Sequence, residues 1–202
     1  VFSLAFAGRE PVVLKQYFHD AADTRDRLAA EYAFLELAAA RGVACVARPL
    51  ARSTGHKLAL YSLLPGRHVT AADVSADAIE QALAFIVALN GDRRAELPVA
   101  SEACFSEAEH IATVDRRIVR LARAVEEQGE DACGRFLHEQ LQPAWARIKA
   151  TAHRQLDGLP EALSARLISP SDFGFHNALV ADGRISFVDF EYAGWDTAGK
   201  LV

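Results

Sequence analysis

Apolar residues alternate with small or polar ones over Phe2-Ser3-Leu4-Ala5-Phe6, a period of two that predicts a β-strand. Ala7-Gly8-Arg9-Glu10 reads as a turn. Val12-Val13-Leu14-Lys15-Gln16-Tyr17-Phe18, entered at Pro11, reads as a second strand that completes a hairpin. From roughly Arg25 to Arg41 the apolar spacing becomes helical, with Asp23 as the expected N-cap and Gly42 as the stop. Residues 43–51 and 57–64 return to strand patterning around the turn Ser53-Thr54-Gly55-His56, and Pro65-Gly66 ends the unit. Residues 1–64 are therefore expected to form a small ββαββ lobe.

The following pattern is mainly helical. Thr70-Ala71-Ala72-Asp73 resembles a capping box, and helical apolar spacing continues to Leu89. Residues 91–104, with Gly91 and Pro98, read as loop. Ser106-Glu107-Ala108-Glu109 opens another helix, with Ile111, Val114, Ile118, Leu121 and Val125 along one face. A further helical segment covers about 131–157, with Phe136, Leu137, Leu141, Trp145 and Ile148 expected inward and a kink or break at Pro143. Short strands are predicted at Leu167–Ser169, Ala178–Val180 and Arg184–Val188. Asp182-Gly183 between the last two is a strong hairpin-turn signal.

Composition narrows the picture only modestly. A chain of 202 residues, 51% hydrophobic, is long enough for a real core in one large domain or two small ones. Apolar runs are interrupted by charge, so no membrane span is expected, and Arg9, Glu10 and Lys15 argue against a signal peptide. The net charge of −5, with both signs interspersed, offers no electrostatic case for nucleic acid or an anionic membrane. Cys45, Cys104 and Cys133 lack metal-ligand spacing and read as buried or free thiols of a reducing, cytoplasmic setting. The chain has no Met and opens directly on a strand, so its ends are expected to be cut or residues left out upstream. Nothing in the sequence sets the oligomeric state.

Four lysines among 22 basic residues make each lysine's placement informative. Lys15 lies mid-strand, on the face of Val13 and Tyr17. It is either an edge lysine that blunts strand pairing or an ammonium held over nucleotide phosphates. Glu31 falls within the helical arc of Leu28, Phe34, Leu35 and Ala38, where a carboxylate needs a partner. It is either that partner for Lys15 or a partly exposed helix acid, whereas Glu36 is on the solvated side. Ser171-Asp172-Phe173-Gly174-Phe175-His176-Asn177 sets an Asp and an Asn five apart on a loop, which alone is compatible with backbone caps in a turn. Asp189, at the end of the hairpin that follows, returns toward Asn177, so the two can share a hydrated Mg2+ while Asp172 accepts or orients a hydroxyl proton. His176 touches phosphate or is simply packed or solvated. Asp196 is a loop brace or an exposed turn acid. Trp145 and Trp195 are too far apart in sequence to argue an aromatic cage.

In this order the residues resemble the aminoglycoside phosphotransferase/choline kinase family. Val12-Val13-Leu14-Lys15 is similar to the kinase strand lysine, Glu31 to its helix partner, and Leu60-Tyr61-Ser62-Leu63-Leu64-Pro65-Gly66 to the hinge. Asp172 and Asn177 match the catalytic loop, and Asp189-Phe190-Glu191 the metal-binding motif. The resemblance implies an α+β, protein-kinase-like two-lobed fold, with a small antiparallel-sheet N-lobe bearing one helix (residues 1–64) and a mainly helical C-lobe (residues 65–202). It implies ATP and Mg2+, with Asp172 as catalytic carboxylate and Asn177 and Asp189 as metal ligands. Lys15 would lie on the phosphates, Glu31 would position Lys15, and the backbone of Ser62, Leu63 and Leu64 would grip adenine. Pro170 stands where the family usually has a His, Phe175-His176 replaces residues that are often small, and no glycine-rich loop precedes the first hairpin. The family's C-terminal helices are not found after Val202.

The expected activity is transfer of the γ-phosphate to a hydroxyl of a small molecule, such as an aminoglycoside, amino alcohol or sugar. The rivals are a nucleotide-binding pseudokinase and a Ser/Thr protein kinase. Against the last, no activation segment with an Ala-Pro-Glu-like end is seen, and the helical stretch at 105–157 suits the small-molecule family better. The acceptor itself is not legible.

Overall fold

The chain's first sheet grows from a local hairpin. The computed structural model describes residues 1–18, 25–92, 94–101, 103–129, 132–156 and 166–200, arranged as two compact units, Val1–Ala103 with Arg166–Val202, and Cys104–Ala165. In the first unit β1 (Phe2–Phe6) and β2 (Arg9–Gln16) pair antiparallel, with Val13 opposite Ser3. β3 (Pro49–Ser53) and β4 (Leu58–Ser62) complete a four-stranded sheet in the order β1-β2-β4-β3. β2 is thus an inner strand, and Lys15, opposite Ala59, is no edge-blunting residue. The strand expected from residue 43 begins only at Pro49. Before it, Cys45 accepts a bond from the Phe187 amide at 2.8 Å, and Val46 bridges to Phe187 outside this sheet.

α1 (Arg27–Ala40) is capped by Asp26, which accepts from the Ala29 amide at 3.1 Å. The expected cap, Asp23, lies outside the described residues. The helix ends where the sequence says it should. Gly42 adopts φ +69°, and the amides of Gly42 and Val43 return to the carbonyls of Ala39 and Ala38 at 3.1 and 3.0 Å. This pair of reversed bonds satisfies carbonyls that a helix end leaves open, and the left-handed turn favours glycine.

After β5 (Arg67–His68), the Thr70–Asp73 box closes on a 3-10 turn rather than on a long helix. Asp73 is held by the Thr70 amide at 2.8 Å and by both Arg67 guanidinium nitrogens at 2.7 Å, so its carboxylate is committed to this short turn. Ser75 then caps α2 (Ala76–Asn90) through the Ala78 amide at 3.2 Å. Arg41 reaches from the end of α1 to the carbonyls of Leu89 and Asp92, satisfying acceptors at the far end of α2.

The hairpin signalled by Asp182-Gly183 forms as β7 (Ala178–Ala181) and β8 (Arg184–Phe187), with β5 joining the free edge of β7. Both turn residues have positive φ, +49° and +75°, the geometry that matches the twist of a two-residue hairpin. β6 (Arg166–Ser169) pairs with β9 (Gly194–Thr197), a strand whose Gly-Trp-Asp-Thr sequence carries no strand signal of its own.

An aromatic core joins these parts. Phe34 of α1 stacks on Phe190 at 4.6 Å between centroids, Phe85 of α2 on Phe187 at 5.0 Å, and Phe173 meets Phe187 at 4.9 Å. Phe173 and Phe190 each follow an acid of interest, Asp172 and Asp189. Burying such a ring contributes about 2 kcal/mol, enough to pin the neighbouring backbone.

The second unit is helical: α3 (Glu107–Gln128), α4 (Ala132–Phe136) and α5 (Gln142–Leu156). Ser106 caps α3 through the Glu109 amide at 3.2 Å. A π turn at Leu137–Leu141 stands just before Pro143, which has no amide to donate to the preceding turn. The wider turn shifts the helical phase. Leu137 is buried, but Phe136 and Ile148, expected inward, are 50% and 59% exposed. Leu121 on α3 is likewise 45% exposed. Asp115 of α3 accepts from Trp145 Nε1 at 2.8 Å and Lys149 Nζ at 2.5 Å of α5. Among the described residues no helix is long and apolar enough to cross a membrane.

Gly66 has φ +118°, and a Cβ there would lie 2.5 Å from the Val180 carbonyl oxygen. Backbone strain of this kind costs about 1–3 kcal/mol before the clash is counted. Gly66→Ala is therefore expected to lower stability by at least about 2 kcal/mol in urea unfolding, and a wild-type midpoint would refute this placement.

Candidate active site

Lys15 sits at the junction of β2, α1 and the segment after β8. Its Nζ lies 2.7 Å from Glu31 Oε2, 2.6 Å from Asp189 Oδ1 and 3.7 Å from Glu191 Oε2. Glu31 is 4% exposed, on the α1 face that the apolar arc predicted. It is satisfied on both oxygens: Oε2 accepts from Lys15 and from the Tyr17 hydroxyl at 2.6 Å, Oε1 from the Phe190 amide at 3.3 Å. A buried carboxylate requires such a complete set. Burial pulls the Lys15 pKa down, but the Glu31 charge and the bonds to Asp189 and Glu31 outweigh it, leaving the pKa above its ordinary value.

Asp189 adopts φ +69° and Ser171, just before Asp172, also φ +69°. Left-handed non-glycine residues are uncommon, and here they flank the segments carrying the acids. The turn brings Asp189 beside the loop of Asn177, whose carbonyl accepts from the Val188 amide at 3.0 Å. Asn177 Nδ2 donates to the Asp172 carbonyl at 2.9 Å and lies 3.4 Å from Asp172 Oδ2. His176 is exposed, with Nε2 3.2 Å from Asp172 Oδ1. Pro170 is fully buried beneath the loop. Asp196 is 1% exposed on β9, its Oδ1 accepting from the Thr197 amide at 2.8 Å, so it is no exposed turn acid.

A cavity of about 500 Å³ opens beside these groups and the segment that ends β4. Val13, Leu35, Ala47, Leu179 and Phe187 contribute apolar lining, together with Ser62, Leu63 and Leu64 and with Lys15, Glu31, Asn177 and Asp189. Asp172, the expected catalytic carboxylate, is outside this lining and reaches it through Asn177, and His176 and Asp196 are outside it too.

Tyr17, Tyr61, Glu191 and Arg27 were not singled out as site residues. Arg27 Nη1 is 2.7 Å from Glu191 Oε1. Tyr17 had a readable signal, since it lies two residues from Lys15 on the same strand face. Carboxylate oxygens of Glu31, Asp189 and Glu191 all lie within 4.8 Å of one another. Hard oxygen donors of this kind suit a hard divalent cation. Glu31 is committed to its buried donors and Glu191 to Arg27, whereas the Asp189 side chain is 46% exposed and has room for an ion.

The fold is α+β and protein-kinase-like. The profile of the phosphotransferase enzyme family matches residues 4–199, and the chain belongs to that family. The choline kinase of Cryptosporidium parvum Iowa II superposes with a TM-score of 0.62 at 13% identity, over 94% of this chain and 53% of that one. An amicoumacin kinase in complex with AMP-PNP, Ca2+ and Ami gives 0.57 at 17% identity, over 96% and 56%. The macrolide 2′-phosphotransferase MphH from Brachybacterium faecium gives 0.55 at 20% identity, over 95% and 61%. The chain thus spans between 53% and 61% of the length of these structures. No curated protein matches it in sequence.

The raised Lys15 pKa fixes a sign. A lysine whose folded-state pKa exceeds its unfolded value stabilises the fold fully below the ordinary 10.5, and that contribution is lost as pH rises through the higher folded value. Lys15→Met is expected to cost about 3 kcal/mol, because it strands Glu31. By denaturant titration the wild-type/variant difference should stay flat between about pH 7 and pH 9 and shrink only above 10.5. A difference that already falls between about pH 7 and pH 9 contradicts the ion-pair assignment.

Proposed function

We propose that the intact protein is an ATP- and Mg2+-dependent phosphotransferase that moves the γ-phosphate to a hydroxyl of a small molecule. The observation that carries this is the cavity of about 500 Å³, whose lining combines the apolar side chains of Val13, Leu35, Ala47, Leu179 and Phe187 with Lys15, Glu31, Asn177 and Asp189. That combination suits a purine joined to a triphosphate. The amicoumacin kinase relative, whose structure contains AMP-PNP and Ca2+, supports nucleotide use by the same fold.

In this reading residues 1–64 serve as the nucleotide-binding lobe and residues 65–202 carry the catalytic loop and metal motif. Ser62, Leu63 and Leu64 hold the base through backbone groups. Lys15 lies on the phosphates, held there by Glu31 from α1. Asn177 and Asp189 are the residues that would hold Mg2+, whose chemistry is to neutralise charge on the phosphates. Asp172 orients the acceptor hydroxyl and takes its proton, with Asn177 holding the Asp172 backbone in place. Little covalent work falls to the protein in this chemistry, so placement of charge is its main contribution.

The test uses the intact protein, first in a thermal-shift assay with Mg·ATP and then in an ADP-release screen across hydroxyl-bearing metabolites. Asp189→Ala is expected to reduce turnover at least about a hundredfold while its circular dichroism stays unchanged. Near-normal turnover in that variant defeats the assignment. Nucleotide binding without transfer to any acceptor favours a regulatory nucleotide-binding module instead.

A further inference from the structure

Beyond the side chains given roles above, a second layer of buried polar groups stands behind Lys15. Tyr61 of β4 is 4% exposed and lines the cavity beside the hinge, and its hydroxyl lies 2.6 Å from that of Tyr17, also 4% exposed. The Tyr17 hydroxyl lies 2.6 Å from Glu31 Oε2, the same oxygen that takes Lys15 at 2.7 Å.

The direction of this chain follows from what each group can donate. An ionised carboxylate only accepts, so the proton between Tyr17 and Glu31 is the phenol's. With its one proton spent, Tyr17 can only accept from Tyr61. The order is Tyr61 to Tyr17 to Glu31, with Lys15 donating to the same end oxygen. Burial, then the Glu31 charge, drives both phenols well above their ordinary pKa, so both remain protonated donors. The ring of Tyr17 also lies under the Lys15 ammonium, 5.0 Å from centroid to Nζ.

We propose that Tyr17 and Tyr61 are positioning residues, a hydrogen-bond relay that fixes the Glu31 carboxylate and through it the direction of Lys15 into the nucleotide cavity. The relay rests on the phosphotransferase reading for its purpose, but the bonds themselves are testable without nucleotide. Tyr17 fills the role because one strand residue separates it from Lys15, so both project from the same face toward α1. Tyr61 fills it because β4 pairs directly with β2, setting Tyr61 opposite Val13.

The experiment compares wild type, Tyr17→Phe, Tyr61→Phe and the double variant, each checked for folding by circular dichroism. Phenylalanine keeps both rings and removes only the hydroxyls. The first readout is the rate at which an amine-reactive ester labels Lys15 relative to Lys57 in the same molecule, by peptide mass spectrometry. The second is the affinity for Mg·ADP by calorimetry. Tyr17→Phe is expected to raise relative labelling of Lys15 several-fold and to weaken Mg·ADP about tenfold, the loss of one hydrogen bond to a charged group. Tyr61→Phe should do the same more weakly. The double variant should be no worse than Tyr17→Phe, because Tyr61 acts only through Tyr17. A purely structural role predicts additive losses of stability with Lys15 labelling unchanged.

Unchanged labelling in folded Tyr17→Phe overturns the relay, as does an additive double variant. If Tyr17→Phe does not fold, Tyr61→Phe alone decides: labelling equal to wild type overturns it. Altered labelling in proteins that never bind Mg·ADP upholds the relay and defeats the phosphotransferase reading. Wild-type affinity with unaltered labelling does the reverse.

Discussion

One ammonium group among three carboxylates holds the centre of this molecule together. Lys15 on β2 meets Glu31 on α1 and Asp189 and Glu191 after β8, so a single side chain ties three parts of the chain. Buried ion pairs contribute little net stability, because desolvation of both charges offsets their attraction, yet losing one partner is costly. The consequence is geometric more than energetic. The helix cannot move away from the sheet, nor the turn from either, without stranding a charge out of water.

The surrounding structure supplies what that cluster needs. The sheet order places β2 inside, with Lys15 paired to Ala59 of β4 and the residue before it paired to Phe2 of β1. The hydrophobic residue next to each acid does the anchoring: Phe173 and Phe190 pack into the aromatic core while Asp172 and Asp189 remain accessible. Left-handed backbone at Ser171 and Asp189 turns each segment sharply enough to present its acid. The packing energy of the rings sustains backbone conformations that neither residue would adopt alone.

Much of this organisation was legible one element at a time. The β1–β2 hairpin, α1 with its glycine stop, the Asp182-Gly183 turn and the Ser106 cap all follow from local rules. Other elements were shaped by competition between local signals. Thr70–Asp73 is a genuine capping box, but Arg67 engages the same carboxylate and Ser75 captures the helix start. The helix expected over 131–157 is interrupted by a π turn just before Pro143, and Phe136 and Ile148 on either side of it are exposed. β9 was invisible because its strand character comes from pairing with β6, not from side-chain alternation.

By itself the chain's order of residues determined most of the local elements and picked out the lysine, acids and amide proposed to hold phosphate and metal. Periodicity, caps and turn residues act over a few neighbours, so they can be read without the fold. Only the tertiary structure decided which of those groups meet. Lys15 and Asp189 are 174 positions apart, and Phe190 and Glu31 159. Such contacts depend on how sheet, helix and hairpin pack, and that packing also brought in Tyr61, Glu191 and Arg27 and set Tyr17, already on the face of Lys15, against Glu31.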